Sequence, residues 1–159
     1  EYRNIVLIGM PGCGKSAIGR QLAEMMNMKF IDTDFEITER EGMAPGVIIR
    51  EVGEKAFREI ESRVMTQYGA GHGTIIATGG GAVTIPENYG ALAQNGIIVY
   101  INRPVEDLPT VGRPLSQSKT PQVLFEERKH LYEGWKDIET FVLGTPEESA
   151  QALLELLGR

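Results

Sequence analysis

One cysteine, Cys13, is all that the 159 residues contain, so no intramolecular disulfide can form and a reducing compartment such as the cytoplasm is the expected setting. Histidine is almost as scarce. His72 and His130 have neither the number nor the spacing for a histidine metal site or a catalytic triad. No apolar run approaches the roughly 18 residues of a membrane-spanning helix, and no basic segment leads into an apolar one at the N-terminus. Positive charge is also short, because 16 Lys and Arg face 22 Asp and Glu for a net charge of -6. Nucleic acid and anionic membrane both need a positive field, so neither is an expected partner. An anionic small molecule would need a local positive pocket.

The remaining composition, 42% hydrophobic and 24% charged, is that of an ordinary globular chain. The length suits one domain spanning residues 1–159, with a monomer as the default. No repeat and no linker is visible. Ile5-Val6-Leu7-Ile8 is β-branched, apolar throughout and ends at Gly9, the pattern of a strand buried on both faces. After a glycine-rich turn, Ile18, Leu22 and Met25 recur at helical spacing from Lys15. Strands are further predicted at Lys29–Asp32, Thr74–Ala77, Ile97–Ile101 and Phe141–Leu143, and helices at Phe35–Glu41 and Gly53–Tyr68. Thr145-Pro146-Glu147-Glu148 has threonine, proline and glutamate where a capping box needs them, before a helix burying Ala150, Leu153, Leu154 and Leu157. Strands alternating with helices imply a mostly parallel sheet covered on both faces. Asn102–Lys119 breaks the alternation with Pro104, Pro109, Gly112 and Pro114, and a loop of that length in a compact domain suggests a lid.

Gly9-Met10-Pro11-Gly12-Cys13-Gly14-Lys15-Ser16 satisfies G-x-x-x-x-G-K-[ST] in the position that gives the pattern its meaning, between a strand and a helix. Glycines let successive backbone N–H groups converge on phosphate oxygens, and the helix N-terminus adds its positive dipole end. Lys15 then reaches the β- and γ-phosphates, and Ser16 is placed to ligate Mg2+. Cys13, beside a lysine and a helix N-terminus, invites a reactive-thiol reading, but it sits at a variable position of the loop and packing is the simpler account.

Asp32-Thr33-Asp34 closes the second strand, so in extended chain both carboxylates project to the sheet's mouth. Magnesium beside a phosphate loop calls for one carboxylate and a hydroxyl acceptor for another, although either aspartate could instead cap the next helix. Arg58 and Glu61, three apart on a helix, permit an ion pair of roughly a few tenths of a kcal/mol on a solvated face. Gly79-Gly80-Gly81 follows the third strand and admits a ligand close to the main chain. Arg113 lies in the suspected lid, and Arg128 opens a segment Arg128–Tyr132 read as helix. Trp135 reads as core.

The phosphate loop, Asp32-Thr33-Asp34, Gly53–Glu61, the triple glycine, Arg113-Pro114-Leu115, and Arg128 with Tyr132, in this order and spacing, resemble shikimate kinase over nearly the whole chain. The resemblance implies a three-layer α/β/α P-loop NTPase fold with a central parallel sheet and a mobile lid. It also implies transfer of the γ-phosphate of ATP to the 3-hydroxyl of shikimate, with Mg2+ as cofactor. Lys15, Asp34 and Arg113 are implied as catalytic residues. Gly12, Cys13, Gly14, Lys15, Ser16, Ala17, Arg113, Thr145 and Pro146 would bind ATP, and Asp34, Arg58, Gly79, Gly80, Gly81 and Arg128 would bind shikimate. Ser16 and Asp32 would hold the metal. Two departures fall on the adenine side: Asp107-Leu108-Pro109-Thr110 replaces a longer basic helix, and Gly144 stands where many members carry arginine. A gluconate-type kinase, a nucleoside monophosphate kinase and a nucleotide-binding module without catalysis are the alternatives.

Overall fold

The apolar run near the N-terminus becomes the centre of the sheet because it has no polar face to give to water. In the computed structural model, which describes residues 3–109 and 119–158, β1 (Asn4–Ile8) is buried at all five positions. It pairs in parallel with β3 (Thr74–Ala77) on one side and β4 (Gly96–Asn102) on the other, with Ile5 opposite both Ile75 and Ile97. β2 (Lys29–Asp32) adds to β3, and β5 (Ile138–Phe141) to β4, again in parallel. The order is β2-β3-β1-β4-β5. All five strands therefore end along one edge, so Gly9, Thr33, Thr78 and Arg103 leave the sheet side by side, where α/β sheets bind ligands.

Seven helices flank the sheet among the described residues: α1 (Lys15–Met26), α2 (Thr33–Glu41), α3 (Pro45–Val52), α4 (Glu54–Gly69), α5 (Glu87–Ala93), α6 (Pro121–Trp135) and α7 (Pro146–Leu156). α1 packs on α7, and α4 on α5. Ile18, Leu22, Ala150 and Leu153 sink into the main core with the strands, together with Trp135. A second, smaller core of Ile37, Ile48, Phe57 and Val64 joins α2, α3 and α4. This satellite makes a rigid shoulder beside the sheet's ligand-binding edge. No described helix is long and apolar enough to cross a membrane.

Several predicted elements shift. Asp34 lies in the first turn of α2 rather than in extended chain, because Asp32 caps that helix at once, its carboxylate accepting from the N–H groups of Asp34 and Phe35. The last strand is Ile138–Phe141 rather than Phe141–Leu143, since Phe141 and Leu143 are exposed and the pairing set by Val99 opposite Ile138 ends at Phe141. Arg128 does not open a helix but sits in the middle of α6, which starts at Pro121 with the Thr120 hydroxyl accepting from Val123 N–H. α3 and α5 are not anticipated from the sequence. In the expected lid, Asn102 belongs to β4 and Leu108 is buried in the main core, while 110–118, Arg113 included, lie outside the described residues. The capping box at Thr145 and Glu148 is present as predicted.

At the end of the sheet opposite the ligand edge, one buried side chain fastens three elements. Asn4 Nδ2 donates to the carbonyls of Tyr68 (3.2 Å) and Gly71 (3.0 Å), and its Oδ1 accepts from Thr74 N–H (3.0 Å). Replacing it by alanine strands the buried Thr74 N–H, at about 1–3 kcal/mol for such a loss, and removes one donor from each carbonyl, the two keeping Gly71 N–H and Asn95 Nδ2 as partners. Asn4→Ala is expected to lower unfolding stability by about 2–4 kcal/mol in urea titration; a loss below about 0.5 kcal/mol would show that this junction carries no weight.

Candidate active site

The loop after β1 starts with Cys13 N–H donating back to Met10 carbonyl (3.1 Å) and ends at Gly14, whose φ of 104° makes it the left-handed N-cap of α1. A side chain is strained at that φ. Glycine there lets the chain turn straight into α1 with its first N–H groups open. Lys15 is 7% exposed and bends back so that Nζ donates to the carbonyls of Gly9 (2.8 Å) and Met10 (3.0 Å). Its ammonium is thereby held over the loop instead of extended into water. Cys13 is 1% exposed, as the packing account of this thiol expects.

Beside the loop, the Ser16 hydroxyl donates to Asp32 Oδ2, while Asp32 Oδ1 caps α2. The two roles weighed for this aspartate are thus compatible, one per oxygen. The pair offers two hard oxygens of the kind Mg2+ prefers, and Mg2+ at phosphate sites takes few protein ligands because substrate phosphates and water supply the rest. Among the described residues no cluster of three or more His, Cys, Asp or Glu offers a dedicated cage. The residues present fit a phosphate-borne magnesium.

A cavity of about 460 Å³ opens over the loop, with Gly12, Gly14, Lys15, Ser16 and Ala17 on one side and Arg58, Glu61 and Gly79–Gly81 on another. Asp32 and Asp34 border it as well, and the turn from Ala44 to Gly46 before α3 contributes a third wall. The two carboxylates closest to the triple glycine are located by the space a side chain would need: a Cβ on Gly79 would lie 2.7 Å from Glu61 Oε2 and 3.1 Å from Asp34 Oδ1. One on Gly80 would meet Pro11 Cδ at 2.5 Å, and one on Gly81 would lie 2.7 Å from Arg58 Cζ. Bare backbone is a steric requirement at Gly80, against the Pro11 ring and main chain, whereas at Gly79 and Gly81 a Cβ would press on the ends of the Glu61 and Arg58 side chains.

The ion pair expected on a solvated face is instead buried. Arg58 Nη1 donates to Glu61 Oε1 at 2.7 Å, with Glu61 wholly inaccessible. The reason is positional: Phe57, Glu61 and Val64 share one face of α4, and Phe57 and Val64 belong to the satellite core. Burial holds the Glu61 carboxyl above the usual carboxylate range, Asp34 nearby adds to the rise, and Arg58 and Arg128 oppose it. Glu61 Oε2, Arg58 Nε and Arg128 Nη1 are buried without hydrogen-bond partners among the described residues, an arrangement that polar ligands commonly complete.

Arg128 is buried and near enough to act on Glu61, although it is not on the cavity wall itself. One turn on, Tyr132 is inaccessible, donates its hydroxyl to Gly80 carbonyl at 2.7 Å and stacks on Tyr100 at 5.2 Å. It ties α6 to the triple glycine, a link that the sequence signals only by its spacing from Arg128.

A second cavity, about 230 Å³, lies on the other side of Gly14, among Cys13, Ile18, Arg103, Val142, Gly144, Pro146 and Ser149. Of the two adenine-side residues expected, Pro146 lines it and Thr145 does not; the Thr145 hydroxyl is committed to capping α7. Arg113 lies outside the described residues.

The family described as shikimate kinase matches residues 11–158. Shikimate kinase 1 of Pectobacterium atrosepticum is 38% identical over 163 aligned residues, covering 96% of this chain and 92% of the relative. Among solved structures, the shikimate kinase of Acinetobacter baumannii in complex with shikimate superposes with a TM-score of 0.91 at 34% identity, over 98% of this chain and 92% of that one. A gluconokinase from Sinorhizobium meliloti reaches a TM-score of 0.60 at 15% identity over 100% of this chain and 94% of its own, a likeness of fold alone. With sequence and structure matching over nearly the full length of both partners, the chain belongs to the shikimate kinase family.

Proposed function

We propose that this protein transfers the γ-phosphate of ATP to the 3-hydroxyl of shikimate, yielding shikimate 3-phosphate and ADP. The observation that carries the reading is one cavity with a phosphate loop and its lysine on one wall and the buried Arg58, a triple glycine and Asp34 on the other. A carboxylate-bearing polyol fits the second wall. The guanidinium of Arg58, with that of Arg128 behind it, suits a planar carboxylate, and the close-approach backbone of Gly79–Gly81 suits a ring. A nucleoside monophosphate would bring a phosphate and a base to that wall. The gluconate-kinase likeness is one of fold only.

Phosphoryl transfer needs positioning and charge stabilisation more than covalent help. Asp34 accepts the proton of the attacking hydroxyl, whose oxygen forms the new bond to the γ-phosphorus as the bond to the ADP oxygen breaks. Lys15, held by Gly9 and Met10 carbonyls, stabilises charge on the transferring group. Ser16 and Asp32 would hold Mg2+, which supplies neutralisation of phosphate charge when bound. Arg113 is assigned to the phosphates and the part of the expected lid beyond Leu108 to a cover that excludes water and suppresses hydrolysis of ATP. The rest of the proposal is a single-domain, monomeric, cytoplasmic enzyme of chorismate synthesis, for which the single buried cysteine and acidic charge are suited.

A coupled assay of ADP release with Mg2+-ATP should respond to shikimate and not to gluconate or nucleoside monophosphates; release with another acceptor would replace the substrate while leaving the fold. Lys15→Ala should lower kcat by roughly a thousandfold, the scale of losing one positioned charge stabiliser, and near-wild-type turnover would remove Lys15 from the mechanism. Arg58→Ala should raise the shikimate KM by roughly ten- to a hundredfold, as expected when a charged partner is lost. Gly81→Ala should mimic it by displacing the guanidinium, with the KM for ATP little changed. An unaltered shikimate KM in both variants would sink the carboxylate assignment.

A further inference from the structure

One carbonyl of the triple glycine is held from outside its own turn. The Gly79 carbonyl accepts from Ala82 N–H at 3.1 Å, and that of Gly81 from the N–H (3.0 Å) and the hydroxyl (2.6 Å) of Thr84. Both partners follow in the same short turn. The Gly80 carbonyl instead accepts from the Tyr132 hydroxyl at 2.7 Å, a donor brought in by α6 across 52 residues of chain. Tyr132 is wholly inaccessible, and its ring stacks on Tyr100 of β4 at 5.2 Å with the two planes 14° apart. Burial pushes its pKa above the ordinary phenol value, and Arg128 only partly opposes the rise. At neutral pH the hydroxyl is therefore a fixed donor with no part in proton transfer.

The same hydroxyl reaches the phosphate loop. It lies 3.8 Å from Met10 Sδ, a weak acceptor, and Gly80 itself abuts Pro11, whose ring an added Cβ would approach to 2.5 Å. The oxygen thus sits at the seam where α6, the triple glycine and the phosphate loop meet. Gly80 and Pro11 line the large cavity and Tyr132 does not, so the tyrosine acts on reactants only through them. Arg58 is placed by Glu61, and Lys15 by the Gly9 and Met10 carbonyls. Neither of these cations hangs on Tyr132. What the hydroxyl fixes is the spacing between two walls of one cavity. Given the kinase reading, on which this inference rests, transfer depends on that spacing, because a misplacement of about 1 Å between reacting groups can cost roughly a hundredfold in rate. We propose that Tyr132 is a positioning residue for phosphoryl transfer, its hydroxyl holding the Gly80 carbonyl so that the acceptor wall and the phosphate loop keep the separation the reaction needs.

The test compares wild type, Tyr132→Phe and Tyr132→para-aminophenylalanine in single-turnover transfer from Mg2+-ATP to shikimate, in calorimetric titration with each substrate alone, and in thermal melts that confirm folding. Phenylalanine keeps the ring and its stacking on Tyr100 but leaves the Gly80 carbonyl without this donor. The single-turnover rate should then fall roughly tenfold, while the Kd values for shikimate and ATP change less than about threefold. The amino variant restores a donor at the end of the ring and should recover more than half of the loss. A merely structural bond would lower Tm and leave the rate near wild type below the melt. A rate within about twofold of wild type in Tyr132→Phe, a matching loss of affinity for either substrate, or no recovery by the amino variant would each overturn the proposal. These outcomes leave the kinase reading standing, whereas a wild-type protein that transfers nothing to shikimate would sink both.

Discussion

The acceptor side of the cavity depends on a charge that is buried only because its counter-charge is buried with it. Glu61 is inaccessible, and a lone ionised carboxylate there would carry a heavy desolvation penalty. Arg58 offsets that penalty through a 2.7 Å bond and Arg128 adds its charge from α6. The pairing fixes the arginine's plane against the triple glycine, where Gly81 has no side chain to push it aside. Arg58 also pairs with Glu54 at 3.3 Å, and Asp34 borders the same cavity, so this wall carries carboxylates beside its guanidinium groups rather than a net excess of positive charge. An anionic acceptor is met there by directed guanidinium donors on a protein whose total charge is -6.

On the donor side the corresponding economy lies in Asp32, which ends β2 and caps α2 with one oxygen while meeting Ser16 with the other. The metal-binding candidate is therefore positioned by the same hydrogen bonds that start the next helix. Lys15 is positioned likewise by the carbonyls of its own loop. Each group is placed by contacts within its own βα turn, and the two turns meet where Ser16 reaches Asp32 across the edge of the sheet.

What the sequence discloses follows the range of the interaction involved. β1, the phosphate loop and α1 are readable because apolar runs, glycines and helical spacing are local signals, and the capping box before α7 is readable for the same reason. The Thr120-Pro121 start of α6 carries a similar local signature, a capping hydroxyl followed by proline at the first helical position. Burial of the Arg58–Glu61 pair follows from Phe57, Glu61 and Val64 falling on one face, yet it also requires α3, whose Ile48 completes the satellite core and whose eight residues make barely two turns. Arg103 has no local signal. Its bond to Gly12 forms only where the end of β4 meets the phosphate loop across 91 residues of chain.

Gly14 borders both cavities, so the partition between the larger chamber and the smaller one is main chain. Side chains can be exchanged by single substitutions, but a peptide wall persists as long as the fold does. The residues that shape the two rooms are otherwise different: Arg103, Pro146 and Ser149 on one side, Arg58, Glu61 and Gly81 on the other. Substitutions that reshape the wall of Arg58, Glu61 and Gly81 therefore leave the lining of the smaller chamber as it was.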